Sequence, residues 1–297
     1  MKLHIYFPVF ALIFFVGMLQ SGIANHSPKD STKNAQDDSA GERIYTVGLD
    51  YGSNQSFRGR NTGQKQPYYS PNFNYQAKSG FYFYASLTNI LVSKADTTAE
   101  AVEARKYKVD EWQISPGYYF KIDKKTKGSI SFTHYFIKDT LLITSGIKNN
   151  IDYSMDRDFK YVNEKLSFDL DLGDETDFGI TLETYHSFDI ENLFTKDNDI
   201  LSIIPGFTFT AGTQNFYTTK IARQGKGLGK GKPPVTTTTK KFSVIAFDFS
   251  IPLSYSIGKF TFEGAYNYTA ALNQPKEPGV ADSKPFGYAT AAISFDF

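Results

Sequence analysis

The sequence predicts an all-β chain that crosses a membrane as a closed, antiparallel, up-and-down β-barrel of about twelve strands. Three observations predict it. From Ile44 onward, stretches of about ten residues alternate apolar and polar side chains, the period that sends successive side chains of a strand to opposite faces. Tyr and Phe, 20 and 27 of the 297 residues, crowd the ends of these stretches. That suits girdles at two membrane interfaces better than a dry sandwich core, where every Tyr hydroxyl needs a partner. Finally, Ala289 to Phe297 puts Ile293, Phe295 and Phe297 on one face and Ser294 and Asp296 on the other. Soluble chain ends are usually polar and frayed, so an aromatic edge of this kind points to lipid. In hydrocarbon every backbone amide must be paired within the protein, so such a sheet must close on itself.

Composition narrows the alternatives. Mean hydropathy of −0.36 excludes a bundle of membrane helices. A net charge of +1 carries no nucleic-acid signature. The chain has no cysteine, which excludes a disulfide scaffold, a thiolate metal site and a lipidated N-terminal cysteine.

Taken in order, residues 1–24 read as a secretory signal peptide. Lys2 gives the charged start, Ile5 to Leu19 the apolar stretch, and Gly22-Ile23-Ala24 the small residues that flank cleavage. Residues 25–42 are polar and free of aromatics, a linker predicted to be disordered, and the barrel is expected over 43–297. Expected strands follow at Tyr45–Tyr51, Tyr69–Ala77, Phe81–Asn89, Trp112–Lys121 and Ile130–Phe136. The rest are Leu166–Leu172, Phe178–Glu183, Leu201–Phe209, Asn215–Ala222, Ile245–Tyr255, Phe260–Tyr268 and Pro285–Phe297. Thr97-Thr98-Ala99-Glu100 has capping-box spacing and predicts a short helix over Ala99–Tyr107. Lys138 to Asp158 is read as a long insertion that holds an extra hairpin or folds inward as a plug. With this strand set the long connections fall on one side, expected to be extracellular, and the short turns on the other, expected to be periplasmic. Ser187 to Asn198 and the basic, Gly-rich stretch Arg223 to Lys241 belong to the long set, and Gly173 to Thr176 to the short set.

Two resemblances add to this. Val47-Gly-Leu-Asp-Tyr-Gly-Ser-Asn-Gln-Ser-Phe-Arg-Gly59, with the hairpin Tyr75-Gln-Ala-Lys-Ser-Gly-Phe-Tyr82, resembles the opening of a porin family related to TorF. The resemblance covers the first three strands and implies a small outer-membrane channel with no catalytic residue. The aromatic ending resembles the C-terminal strand of Gram-negative outer-membrane barrels, which implies that Ile293, Phe295 and Phe297 are read by the barrel assembly machinery.

Three functions fit such a chain. The first is a passive channel for small solutes. Alternation assigns Asp169, Asp171, Glu183 and Glu263 to the lumen, with Lys121 as a counter-charge, a lining that favours cations. The second is an outer-membrane hydrolase acting on lipid or peptide. His134 and His186 both fall near the ends of outgoing strands on the apolar face, but no Ser stands two residues from either. The third is a surface-binding or structural barrel acting through its loops. There Arg58, Arg60, Lys226, Lys230 and Lys232 are the extracellular candidates, and Arg58 and Arg60 could meet lipopolysaccharide phosphates. No cofactor is expected, because Gly225 to Gly231 lacks Walker spacing and no His, Asp and Glu set has ligand spacing. Asp197 and Asp199 are the acids an incidental calcium ion would use.

Overall fold

A computed structural model describes residues 43–59, 66–91, 109–137, 146–159, 161–195, 199–215, 242–273 and 284–297. They form one antiparallel sheet that closes on itself. The wall runs through β1 (Ile44–Gly52), β2 (Tyr68–Gln76), β3 (Phe81–Ile90), β4 (Glu111–Lys121), β5 (Thr126–Ile137), β6 (Ile147–Asp158), β7 (Asn163–Gly173) and β8 (Thr176–Tyr185). Two short strands follow, β9 (Phe188–Glu191) and β10 (Asp199–Ile203). The wall resumes with β11 (Gly206–Gly212), β12 (Ser243–Ile257), β13 (Phe260–Ala271) and β14 (Phe286–Asp296). β11 joins β8 to β12, and β14 pairs with β1, so twelve strands close the barrel and β9 and β10 are additional to it.

The closing seam is the β14–β1 pair, with Leu49 opposite Ile293 and Thr46 opposite Asp296. The Thr46 hydroxyl donates to Asp296 at 2.6 Å, and the Phe297 N–H donates to the Tyr45 carbonyl at 2.9 Å. Phe297 stacks on Tyr45 with ring centres 5.7 Å apart, and Phe295 meets Phe260 at 4.8 Å.

Alternation decides the two faces. Val47, Leu49, Leu87, Ile130, Phe132, Ile151, Leu182 and Ile251 are exposed large apolar residues, yet they form a continuous outer band. Such a band is the expected contact surface for lipid rather than water. Aromatics frame it at both ends. Tyr51, Tyr69, Trp112 and Phe178 lie toward the end reached by β1, called here the loop end. Phe81, Phe260 and Phe297 lie at the opposite end, where β1 begins and β14 finishes, called the terminus end. The inner face carries Asn72, Ser86, Ser115, Ser129, Thr133 and Ser154, and hydroxyl pairs and an amide–carboxylate bond link adjacent strands there.

The strand count agrees with the sequence expectation, but the strand list does not. β6 lies inside the stretch 138–158, which the sequence pattern marks as an insertion or plug. It is a wall strand along its whole length, paired with β5 and β7. The expected ninth strand, Asn215–Ala222, is not needed for closure: β11 pairs directly with β12, and 216–222 lies outside the described residues. The helix expected at 99–107 also lies outside them.

One strand gained and one lost leave the total unchanged but reverse every strand between them. The 174–175 turn therefore sits at the loop end, among the long connections. The Ser187–Asn198 stretch, expected with the long loops, sits at the terminus end. There β9 and β10 pair as a hairpin that continues β8 and β11, and β10 also pairs with the end of β12. The break between β10 and β11 falls at Ile204-Pro205, where proline has no N–H for the ladder.

A second departure is local. Thr210 pairs with Ala246 but Ala211 pairs with Val244, so Ile245 is an extra residue in a β-bulge. Strict alternation places Ile245 outside with Phe247; in the structure it is fully buried.

Candidate functional site

The site is the inner wall of the barrel together with the described part of the first connection, residues 53–59 and 66–67. Its first arm enters the lumen. Gln55, Ser56 and Phe57 are 1%, 4% and 5% exposed, values of a packed core rather than a surface loop. Asn54 fixes the neck, accepting from the Gln55 N–H at 3.0 Å and from the Gln66 N–H at 3.1 Å. The Ser56 hydroxyl bonds Tyr288 of β14. Gly59 lies against β12 and β13, where an added Cβ would sit 2.8 Å from the Ala246 Cβ and 3.2 Å from the Ala270 carbonyl oxygen. Its φ of +78° completes the reason that glycine is needed there.

Arg58 crosses to the far wall. Its Nη2 donates to Asp169 and to Asp171, the latter at 2.7 Å, both on β7. Asp171 also accepts from Asn150 at 2.8 Å. Asp169 has room because Gly179 faces it from β8; a Cβ there would collide with its carboxylate. The extracellular role expected for Arg58 is thereby corrected: its side chain is 7% exposed and ion-paired inside the barrel. The segment seen to fold inward is 53–59, and the described part of 138–158 forms β6 of the wall.

The other site residues fall as follows. Glu183 and Glu263 lie on the inner face and are half-buried. Lys121, the last residue of β4, is exposed at the terminus-end rim. Beside it the register runs Lys121, Lys127, Asp156, Lys165, Glu183 across five strands, a row of mostly alternating charge. The Tyr185 hydroxyl donates to Asp156 at 2.7 Å in the same region. Between that row and Arg58 the inner face carries Asp50, Asp152, Asp248 and Glu263. Among the described residues, the inward bases therefore sit at the two ends of the lumen, and the middle is acidic. Sequence reasoning finds Glu263 but misses Asp152 and Lys127. Asp152 lies on the unrecognised β6, and Lys127 falls in what reads as a turn. Arg60, Lys226, Lys230 and Lys232 lie outside the described residues.

The two barrel histidines occupy opposite ends, contrary to the equal height expected. His134 is on β5 near the loop end; its Nδ1 lies 2.7 Å from the Asn149 Oδ1, and its ring meets Phe136 edge-on. His186 follows β8 at the terminus end, edge-on to Phe188, with its backbone N–H donating to the Pro205 carbonyl. Among the described residues these contacts bring an amide and aromatic rings to the imidazoles.

Asp199 caps the tip of the β9–β10 hairpin. It accepts from the Phe194 and Thr195 N–H groups at 2.9 and 3.0 Å, from the Thr195 hydroxyl at 2.8 Å and from Tyr255 at 3.2 Å. Burial acts to raise its pKa, but these donors outweigh it and hold the carboxyl below its ordinary value. Both oxygens expected for calcium are thus engaged by protein donors, and Asp197 lies outside the described residues.

Comparison with solved structures finds distant similarities. The KdgM porin is similar over 86% of this chain and 99% of its own, at 8% identity and a TM-score of 0.45. LpxR from Salmonella typhimurium gives 9% identity, 86% and 99% coverage, and 0.42. An outer membrane channel from Pseudomonas putida F1 gives 9% identity, 86% and 95% coverage, and 0.41. No protein-family model matches the chain, and no curated protein matches it in sequence.

Proposed function

We propose that the protein is a passive, cation-preferring channel of a Gram-negative outer membrane, admitting small solutes. The observation that carries this reading is the charge order of the inner wall. Asp50, Asp152, Asp248 and Glu263 occupy the middle of the lumen, while Lys127 and Lys165 stand at one end and Arg58 is tied to carboxylates at the other. A narrow passage with low-dielectric walls focuses such charge, raises the local cation concentration and disfavours anions.

The rest of the chain agrees with this reading. The outer apolar band and paired aromatic frames match a lipid bilayer. Residues 1–24 supply export, and Ile293, Phe295 and Phe297, on the seam, are what the assembly machinery reads. The TorF-related resemblance belongs with this reading, since its Phe57-Arg58-Gly59 run is the segment that enters the lumen.

The test is the reversal potential of purified protein in planar bilayers under a potassium chloride gradient. A potential on the cation side, reduced by Glu263→Gln with Asp50→Asn, supports the reading. Zero or anion-side potential removes the cation preference, and protein that inserts without ever conducting removes the channel.

A further inference from the structure

The segment 53–59 fills the loop-end part of the lumen, yet its hold there is uneven. At the neck, Asn54 ties it to Gln66. On the near side, Ser56 and Gly59 lean on β14, β12 and β13. Toward the far wall the guanidinium of Arg58 bonds Asp169 and Asp171.

That attachment is incomplete in two ways. Both ion pairs use Nη2, while Nη1 is buried with no hydrogen-bond partner among the described residues. A bidentate fork would have satisfied both nitrogens. The backbone is also strained: Arg58 has φ of +47°, a region L residues seldom occupy, and it persists where surrounding contacts enforce it. An unpaired buried guanidinium nitrogen and a left-handed arginine both weigh against the closed state, and segments so burdened belong to the low-stability end of a fold. If Arg58 lets go, Asp169 and Asp171 are left as close, uncompensated carboxylates that attract water and cations into the space the segment leaves.

We propose that residues 53–59 are a displaceable stopper, and that the ion pairs of Arg58 with Asp169 and Asp171 are the latch that sets how long it stays in the lumen. Its effect on conduction rests on the channel reading; the motion itself does not.

The chain has no cysteine, so a single introduced thiol reports on the stopper without background. Gln55→Cys sits at a position 1% exposed while the stopper is seated. Its rate of modification by a small water-soluble thiol reagent is measured on folded protein in detergent, alone and combined with Arg58→Ala, with Arg58→Lys, or with Asp169→Asn plus Asp171→Asn. Labelling is expected to be about tenfold faster in the alanine and double-asparagine backgrounds, since access then follows the open population. The lysine variant should fall between, because it keeps the charge but not the planar donor set. Equal rates in all backgrounds overturn the latch.

A second reporter separates release from unfolding. Ser154→Cys lies buried on the inner face of β6, at a position bonded to Ser129 rather than to the stopper. If Arg58→Ala accelerates labelling at position 55 alone, the stopper has moved. If it accelerates both equally, the barrel has loosened and the latch is overturned. Bilayer recordings of the same variants give the conduction arm: a larger open fraction in the latch variants is expected. Faster labelling at position 55 with no conductance in any variant keeps the stopper and removes the channel. Steady wild-type conductance with unchanged labelling keeps the channel and removes the latch.

Discussion

Toward the loop end, the inner wall is covered by large side chains. Tyr68, Tyr288 and Ile245 are buried there, as is Phe57 of the entering segment, and Arg58 closes the gap to β7. Toward the terminus end, Lys165 and Glu183 on the same inner face stay half-exposed, so water reaches them. One barrel thus holds a packed half and a wet half. The difference does not arise from the strands, whose alternation is the same throughout. Among the described residues it arises from the connection at 53–59, which turns inward, while the connections at 77–80, 122–125 and 258–259 are too short to do so.

The strongest way to break this contrast is to remove the packed half's contents. Replacing residues 53–59 with a short Gly-Ser bridge should raise single-channel conductance by about threefold or more, because a narrow polar constriction limits flux. An unchanged conductance step would mean that ions already pass beside the segment. Next in size is a steric change confined to the packed half. The Tyr68 ring lies directly over Gly52, so Gly52→Val overpacks it and should cost about 1–3 kcal/mol, lowering the urea midpoint of refolded protein.

The acidic middle of the lumen should respond in selectivity rather than stability. Glu263→Gln with Asp50→Asn should lower the cation-to-anion permeability ratio by about twofold, since the pair supplies part of a screened field, while the folded fraction is unchanged. The smallest effect is expected beyond the wall, at the hairpin tip. Asp199 has its pKa lowered by the donors around it, so its contribution is full above the ordinary carboxyl range. It is lost as pH falls through the depressed folded value. Hydrogen exchange at Phe194 and Thr195 should quicken in Asp199→Asn at neutral pH, and in the wild type only in acid.

The barrel is legible in the sequence because lipid imposes alternation on most strands, and β7, with Leu166, Phe168, Leu170 and Leu172 outside, shows it plainly. β6 is not, for a physical reason. Its outer face carries Ile151, Tyr153 and Met155, but Asn149 and Arg157 stand at the ends of that face and the inner face is almost wholly polar. A strand with a water-facing interior and rim residues at both ends reads as a loop. Missing it reverses the direction of the next strands, which is why His186 and the β9–β10 hairpin are expected at the wrong end. Arg58 is invisible as an interior residue because its partners lie 111 and 113 positions away, and nothing near it in sequence signals an inward turn. The acids it meets are legible, since alternation along β7 needs no knowledge of their partner.

The seam has a consequence for how the molecule is made. Thr46 and Asp296 bond across a separation of 250 residues, and Phe297 closes the last contact with β1. The first strand is therefore an open edge until the last strand arrives, able to pair with any other strand it meets. Contacts so distant in sequence form late and slowly. The barrel cannot be completed piecemeal: a chain cut short at Asp296 reaches the membrane with every other wall pairing available and its final one frayed. Quality control of this protein comes down to whether its two edge strands find each other before a neighbouring copy does.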